Sequence, residues 1–215
     1  MPEPKGLRER KKRETRQRIS DHATALFAVR GFDRVSVSEV AEAAEVSRMT
    51  VINYFPLKED LVFDRSPDLD RRLAEAVRQR RPGTSFVDAV RDLVLDLIRR
   101  GHPLGGFGAN LHHFWAMVWN SPPLRRRDLE LAAQAEEALA RVLAEEADAG
   151  PEDPRPRLAA AVLLATYRTL VRQGVRTTAT GEPPERLLPG HLRVVEKAFA
   201  DLAGGFGDYG RSPNS

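Results

Sequence analysis

Residues 36–61 read SVSEVAEAAEVSRMTVINYFPLKEDL. Ser36 stands three residues before Glu39, the spacing of a capping box, in which the hydroxyl accepts from the Glu39 amide and the carboxylate reaches back. Val37, Val40, Ala41 and Ala44 then form the apolar side of a short helix. Ala44-Glu45-Val46 is a tight break. Ser47 caps a further helix from Arg48 to about Phe55, and Pro56 ends it. Within that helix Val51, Tyr54 and Phe55 fall on one side, which leaves Arg48, Met49, Thr50 and Asn53 on the other.

Upstream, Ile19, Ala23, Leu26 and Phe27 mark one face of a helix from about Arg13, stopped by Gly31 with Phe32 folding back on the last turn. Three short helices therefore occupy residues 13–60, the last two joined by a tight turn. This is a helix–turn–helix, whose second helix lies in the DNA major groove while the first crosses the backbone. Arg48 suits guanine O6 and N7, Asn53 suits adenine N6 and N7, and the Thr50 methyl can meet a thymine methyl. The candidate DNA-binding residues are Ser36, Ser47, Arg48, Met49, Thr50, Asn53, Tyr54 and Lys58.

Charge supports the same partner. The chain of 215 residues carries a formal net charge of only +3. Residues 1–20 hold eight basic and three acidic residues, so this end is strongly cationic and the rest slightly anionic. Residues 1–12 read as a disordered basic arm that adds salt-dependent attraction to phosphate.

The composition is that of a soluble protein, with 41% hydrophobic and 30% charged residues and no cysteine. Disulfides, zinc ribbons and thiol nucleophiles are excluded, and no apolar run is long enough for a membrane span. A cytoplasmic location and no membrane partner are the expectations. The enzyme signatures G-x-S-x-G, H-E-x-x-H and G-x-x-x-x-G-K-[ST] are absent, and the Gly-rich runs at 105–108 and 204–207 follow no strand. An enzyme is therefore disfavoured. No cofactor or metal is expected: His112 and His113 are adjacent, so their side chains diverge on a helix.

Residues 61–203 read as longer helices: 57–65 broken by Ser66-Pro67, then about 68–81, 84–100, 109–120, 122–148, 157–173 and 185–203. Residues 204–215 read as a disordered tail. The fold class is all-α, an N-terminal three-helix DNA-binding domain followed by a larger helical domain. In the larger domain Phe107, His113, Phe114, Trp115, Val118 and Trp119, with Tyr167 and Arg168 on a facing helix, are candidates for an apolar pocket. Taken singly, each is more readily plain core. Leu188, Leu192, Val195, Phe199 and Leu202 recur at spacings of 4 and 3, a narrow seam that suits a helix bundle across a two-fold axis or packing within the chain.

The order Ala41, Ala44, Val46, Ser47, Thr50, Val51, Tyr54, Phe55, Lys58 and Leu61, with the preceding ATALFAVRGFDRVSVSEVA, resembles the DNA-binding domain of TetR/AcrR-type transcriptional regulators. The resemblance covers about residues 13–62. It implies a homodimer on a double-stranded operator, a ligand-binding and dimerisation domain at 61–203, and release by a small apolar or amphipathic effector. A repressor is the expectation; an all-helical DNA-binding protein without an effector is the alternative. The resemblance also places Lys58 near a phosphate and favours the intersubunit use of the 188–202 seam. Two positions depart from the family pattern. Glu45 stands where Gly is usual, and Ile52 where a phosphate-contacting Tyr is common.

Overall fold

A computed structural model describes residues 5–109 and 111–206. Among these the chain is helical throughout, with no strand. Its helices are α1 (Lys5–Arg30), α2 (Val37–Ala43), α3 (Arg48–Tyr54), α4 (Ser66–Arg78), α5 (Phe86–Arg99), α6 (Leu111–Asn120), α7 (Pro122–Glu146), α8 (Arg155–Thr178) and α9 (Pro184–Phe206). Single turns of 3-10 helix occur at Phe32–Arg34, Lys58–Leu61 and Pro103–Gly105. The chain divides into two compact units, Met1–Asp64 with Met117–Asp128, and Arg65–Ala116 with Leu129–Ser215.

In the first unit Ile19, Ala23 and Phe27 of α1 are buried together with Phe32, Val40, Ala41, Val51, Phe55 and Leu61. Burying each of the larger side chains is worth about 1.5–3 kcal/mol relative to exposure, and this holds α2 and α3, which are individually too short to persist, against α1. Gly31 adopts φ 79°, which lets Phe32 turn back until its ring lies 5.3 Å from that of Phe27. Residues 117–128 belong to this unit as well. Val118 and Leu124 are fully buried, Arg127 pairs with Asp60 at 2.8 Å, and Ser121 Oγ donates to Asp33 at 3.3 Å. Local periodicity carries no information on such a pairing, and the boundary expected at residue 60 lacks this segment.

The second unit packs α4, α5, α8 and α9 with most of α7 around Val90, Val94, Ile98, Leu143, Leu163 and Phe199. Arg80, whose side chain is 6% exposed, pairs with Glu146 at 2.8 Å and lies over the Phe86 ring at 4.5 Å. Pro67 sits in the first turn of α4, where a missing N–H costs nothing, so it opens the helix and does not kink it.

Four expectations change. The basic segment is no disordered arm from Lys5 onward, because α1 begins there. Arg, Lys and Glu are good helix formers, and extending an existing helix requires no new nucleus. Residues 204–206 continue α9 and are not part of a disordered tail; residues 207–215 lie outside the described residues. The helix expected at 57–65 is a single 3-10 turn at Lys58–Leu61. The 188–202 seam is in large part internal. Val195 and Phe199 are buried in the second unit's own core, with Leu188, Leu192 and Leu202 partly buried against it. A 4-3 spacing reports that one face is covered, not whether the cover comes from the same chain.

Candidate nucleic-acid interface

The entry to α2 is a closed capping box. Ser36 Oγ accepts from the Glu39 amide at 3.2 Å, and a Glu39 carboxylate oxygen accepts from the Ser36 amide at 2.8 Å. Arg30, the last residue of α1, pairs with the same carboxylate at 2.7 Å. The Ser36 amide and hydroxyl, with Arg30, hold the Glu39 carboxyl down at about 2. The box thus fixes where α2 starts relative to the end of α1.

The turn between α2 and α3 is a Schellman arrangement. The Val46 amide donates to Ala41 O at 2.9 Å and the Glu45 amide to Glu42 O at 3.1 Å. This requires a left-handed residue at the turn, and Glu45 adopts φ 52°. An L side chain there costs on the order of 1 kcal/mol. The turn therefore survives without its usual glycine.

Ser47 caps α3, accepting from the Thr50 amide at 3.0 Å. Its hydroxyl also shares a 2.8 Å hydrogen bond with the Thr50 hydroxyl. Val51 and Phe55 are buried, while Arg48, Met49 and Asn53 are exposed, Met49 to 61%. Thr50, Ile52 and Tyr54 are half-buried. The far end of α3 is clamped by Arg16 of α1, which donates to Tyr54 O at 2.9 Å and stacks over the Phe55 ring at 4.2 Å. A short, rigid helix with an exposed apolar, amide and guanidinium face suits insertion into a DNA groove.

Lys58, expected beside a phosphate, has a partner within the first unit. Its ammonium donates to Phe32 O at 2.7 Å and sits 4.0 Å over the Phe32 ring. Burial lowers its pKa, with Asp33, Glu59 and Glu39 acting in the opposite sense. Phe32 opens the 3-10 turn that follows α1, so Lys58 anchors that turn. Arg16, which sequence reasoning passed over, is the more informative cation. Its signal was a basic residue three before the first buried apolar position, Ile19.

The expected pocket residues are divided between the two units. Val118 and Trp119 fall in the first unit, and the remainder in the second. In the second unit Phe107 is buried and stacks on His191 at 4.8 Å, while Tyr167 donates to Leu104 O at 2.7 Å. Phe114 and Trp115 meet edge to face at 5.6 Å. His113 is exposed and Arg168 half-buried. His191, 3% exposed, was missed; its Nε2 and the Nδ1 of His112 are buried without a hydrogen-bond partner. A cleft of about 480 Å³ in the second unit is lined by Arg72, Gln79, Arg81, Thr84 and neighbours, with none of the expected residues. Among the described residues no group of three or more His, Asp or Glu is placed to hold a metal, and no helix is long and apolar enough to cross a membrane.

The family model for bacterial regulatory proteins of the tetR family matches residues 19–64, which span the later part of α1 with α2 and α3. The HTH-type transcriptional regulator TcmR of Streptomyces glaucescens is 30% identical over 176 residues, covering 80% of this chain and 78% of that protein. The HTH-type transcriptional regulator LuxR of Vibrio harveyi is 42% identical over 64 residues, 30% of this chain and 28% of that one. Among solved structures, Salmonella enterica GusR superposes with a TM-score of 0.55 at 19% identity, covering 90% of this chain and 96% of its own. That likeness speaks for the fold; the kinship with TcmR extends over both units. The chain belongs to the tetR family and is a DNA-binding transcriptional regulator.

Proposed function

We propose that the protein is a dimeric, effector-released repressor whose α3 reads an operator in the major groove. The observation that carries the reading is the division of α3, with Val51 and Phe55 buried and Arg48, Met49 and Asn53 exposed. Arg48 and Asn53 make the base contacts, each worth about 1–3 kcal/mol of discrimination. Met49 and the Thr50 methyl supply apolar contact. Ser36, Ser47 and Tyr54 lie along the phosphates, with the α3 N-terminus adding its partial positive charge.

The second copy packs on α8 and α9, where Leu158 is 53% and Val194 38% exposed. Leu188, Leu192 and Leu202 border that surface in the proposal, whereas Val195 and Phe199 do not. The effector is small and apolar or amphipathic. Phe107, Phe114, Trp115 and Tyr167 supply its apolar walls, and the unpartnered His191 supplies a polar group. Such a ligand acts only by preferring one state of the protein over the other.

The test is selection of duplexes from a random library by the full chain. Arg48→Ala with Asn53→Ala should abolish preference for the selected duplex while the helical content stays as it was. Retained preference sinks the reading. Leu158→Glu with Val194→Glu should give monomers on sedimentation.

A further inference from the structure

The cationic start of the chain is part of a rigid element. α1 runs unbroken from Lys5 to Arg30. At Arg16 it is pinned to the end of α3 through Tyr54 O and the Phe55 ring. The residues before Arg16 therefore project from a fixed point beside the recognition helix, and they are held in register with it. At 1.5 Å per residue, the stretch from Lys5 to Arg16 is about 17 Å long, roughly the length of five base-pair steps.

Its cations lie on more than one face, Arg10 and Lys11 away from Arg16 and the others beside it. Lys12 and Arg13 stand four and three residues before Arg16, on the same side of the helix, and Arg8 lies one turn further out. All three are exposed. Glu9 is the acid on that strip. Glu14 points elsewhere and pairs with Arg10 at 3.4 Å. The strip carries no large apolar side chain, so its complement is a polyanion and not a bilayer interior.

We propose that residues 5–15 form a second nucleic-acid contact, a rod that sets Arg8, Lys12 and Arg13 against the phosphate backbone of duplex DNA next to the groove occupied by α3. This rests on the DNA-binding reading of α3. The contact is indifferent to base sequence, because phosphate contacts position a protein and do not specify a site. Its rigidity is the point. A helix held at Arg16 presents its cations in place, without the ordering cost that a disordered tail incurs on binding.

The test uses the full chain and two duplexes of about three helical turns, one selected from a random library by the wild type and one of random sequence. Arg8→Ala/Lys12→Ala/Arg13→Ala should weaken both by roughly tenfold at about 0.1 M salt and make the log–log salt slope shallower by about two to three. The ratio of affinities for the two duplexes should not change. Glu14→Pro keeps every cation and removes an acid, yet breaks the rod before Arg16. It should lose affinity for both duplexes in spite of its added positive charge.

The proposal is overturned if the triple variant keeps the wild-type slope, or if Glu14→Pro binds as tightly as wild type or more tightly. It is equally overturned if the strip prefers vesicles containing phosphatidylserine to random duplex. Failure of the α3 reading shows separately, as preference for the selected duplex that survives Arg48→Ala/Asn53→Ala.

Discussion

Arg16 of α1 donates through Nη1 to the main-chain carbonyl of Tyr54, 2.9 Å away and 38 residues later in the chain. The acceptor is the last residue of α3, where helical carbonyls lack intrahelical partners. One guanidinium therefore ties the longest helix of the DNA-binding head to the end of α3. The same group covers the buried ring of Phe55 at 4.2 Å.

Replacing Arg16 with Ala should cost the head about 2 kcal/mol, because a charge-assisted hydrogen bond and a stacked cation are lost together. Hydrogen exchange of residues 48–54 reads this directly, and protection should fall by more than tenfold. Arg16→Lys should recover only part of it, since an ammonium lacks the planar fork. Unchanged protection would mean that α3 is held by Val51 and Phe55 alone.

Glu45→Gly should stabilise the head. Glu45 carries φ 52°, and glycine relieves a strain on the order of 1 kcal/mol, offset in part by the greater freedom of the unfolded chain. A net gain of about 0.5 kcal/mol in denaturant unfolding, with DNA binding unaltered, is the expected result. A loss would show that the Glu45 side chain makes a contact of its own.

Acid should open the α2 entry at a lower pH than an ordinary carboxylate would permit. Glu39 is held at about 2 against its ordinary 4.5. A lowered folded value means stability that is present above pH 4.5 and lost as pH falls towards 2. Glu39→Gln, which keeps an acceptor for the Ser36 amide, should flatten the stability profile across that window. A profile as steep as wild type would assign the acid sensitivity to other carboxylates.

The second unit should weaken on mild acidification. Burial lowers the pKa of His191 below its ordinary 6.5. His102 is lowered likewise, by burial first and then by the charge of Arg72. In both cases the unfolded chain binds protons that the folded chain refuses, so stability is lost as pH drops below about 6.5. His191→Phe should reduce the slope of melting temperature against pH between about 5 and 7, and an unchanged slope would remove His191 as its source. Gly174 makes room for this ring: a Cβ there would lie 2.6 Å from Gly106 O and 2.9 Å from His191 Nε2. Gly174→Ala should cost about 1–3 kcal/mol by overpacking.

The DNA-binding head was legible from sequence because its signals are local. Ser36 with Glu39, Ser47 before Arg48, and the alternation of Val51 and Phe55 with Arg48 and Asn53 all act within a turn or two of helix, where spacing alone decides who meets whom. The left-handed Glu45 stands where the family pattern usually has Gly. What spacing does not encode is the partner of an apolar or charged face. Val195 and Phe199 repeat as a seam, but the second unit's own core covers them. Val118 and Trp119 share a helix with Trp115, yet they belong with the head. Lys58 turns to Phe32, and His191 to Phe107, across 26 and 84 residues of chain. The periodic sequence determined which faces are buried and where the helices begin. Only the tertiary structure decided what buries them, because burial energy depends on the area covered and is indifferent to which part of the chain supplies the cover.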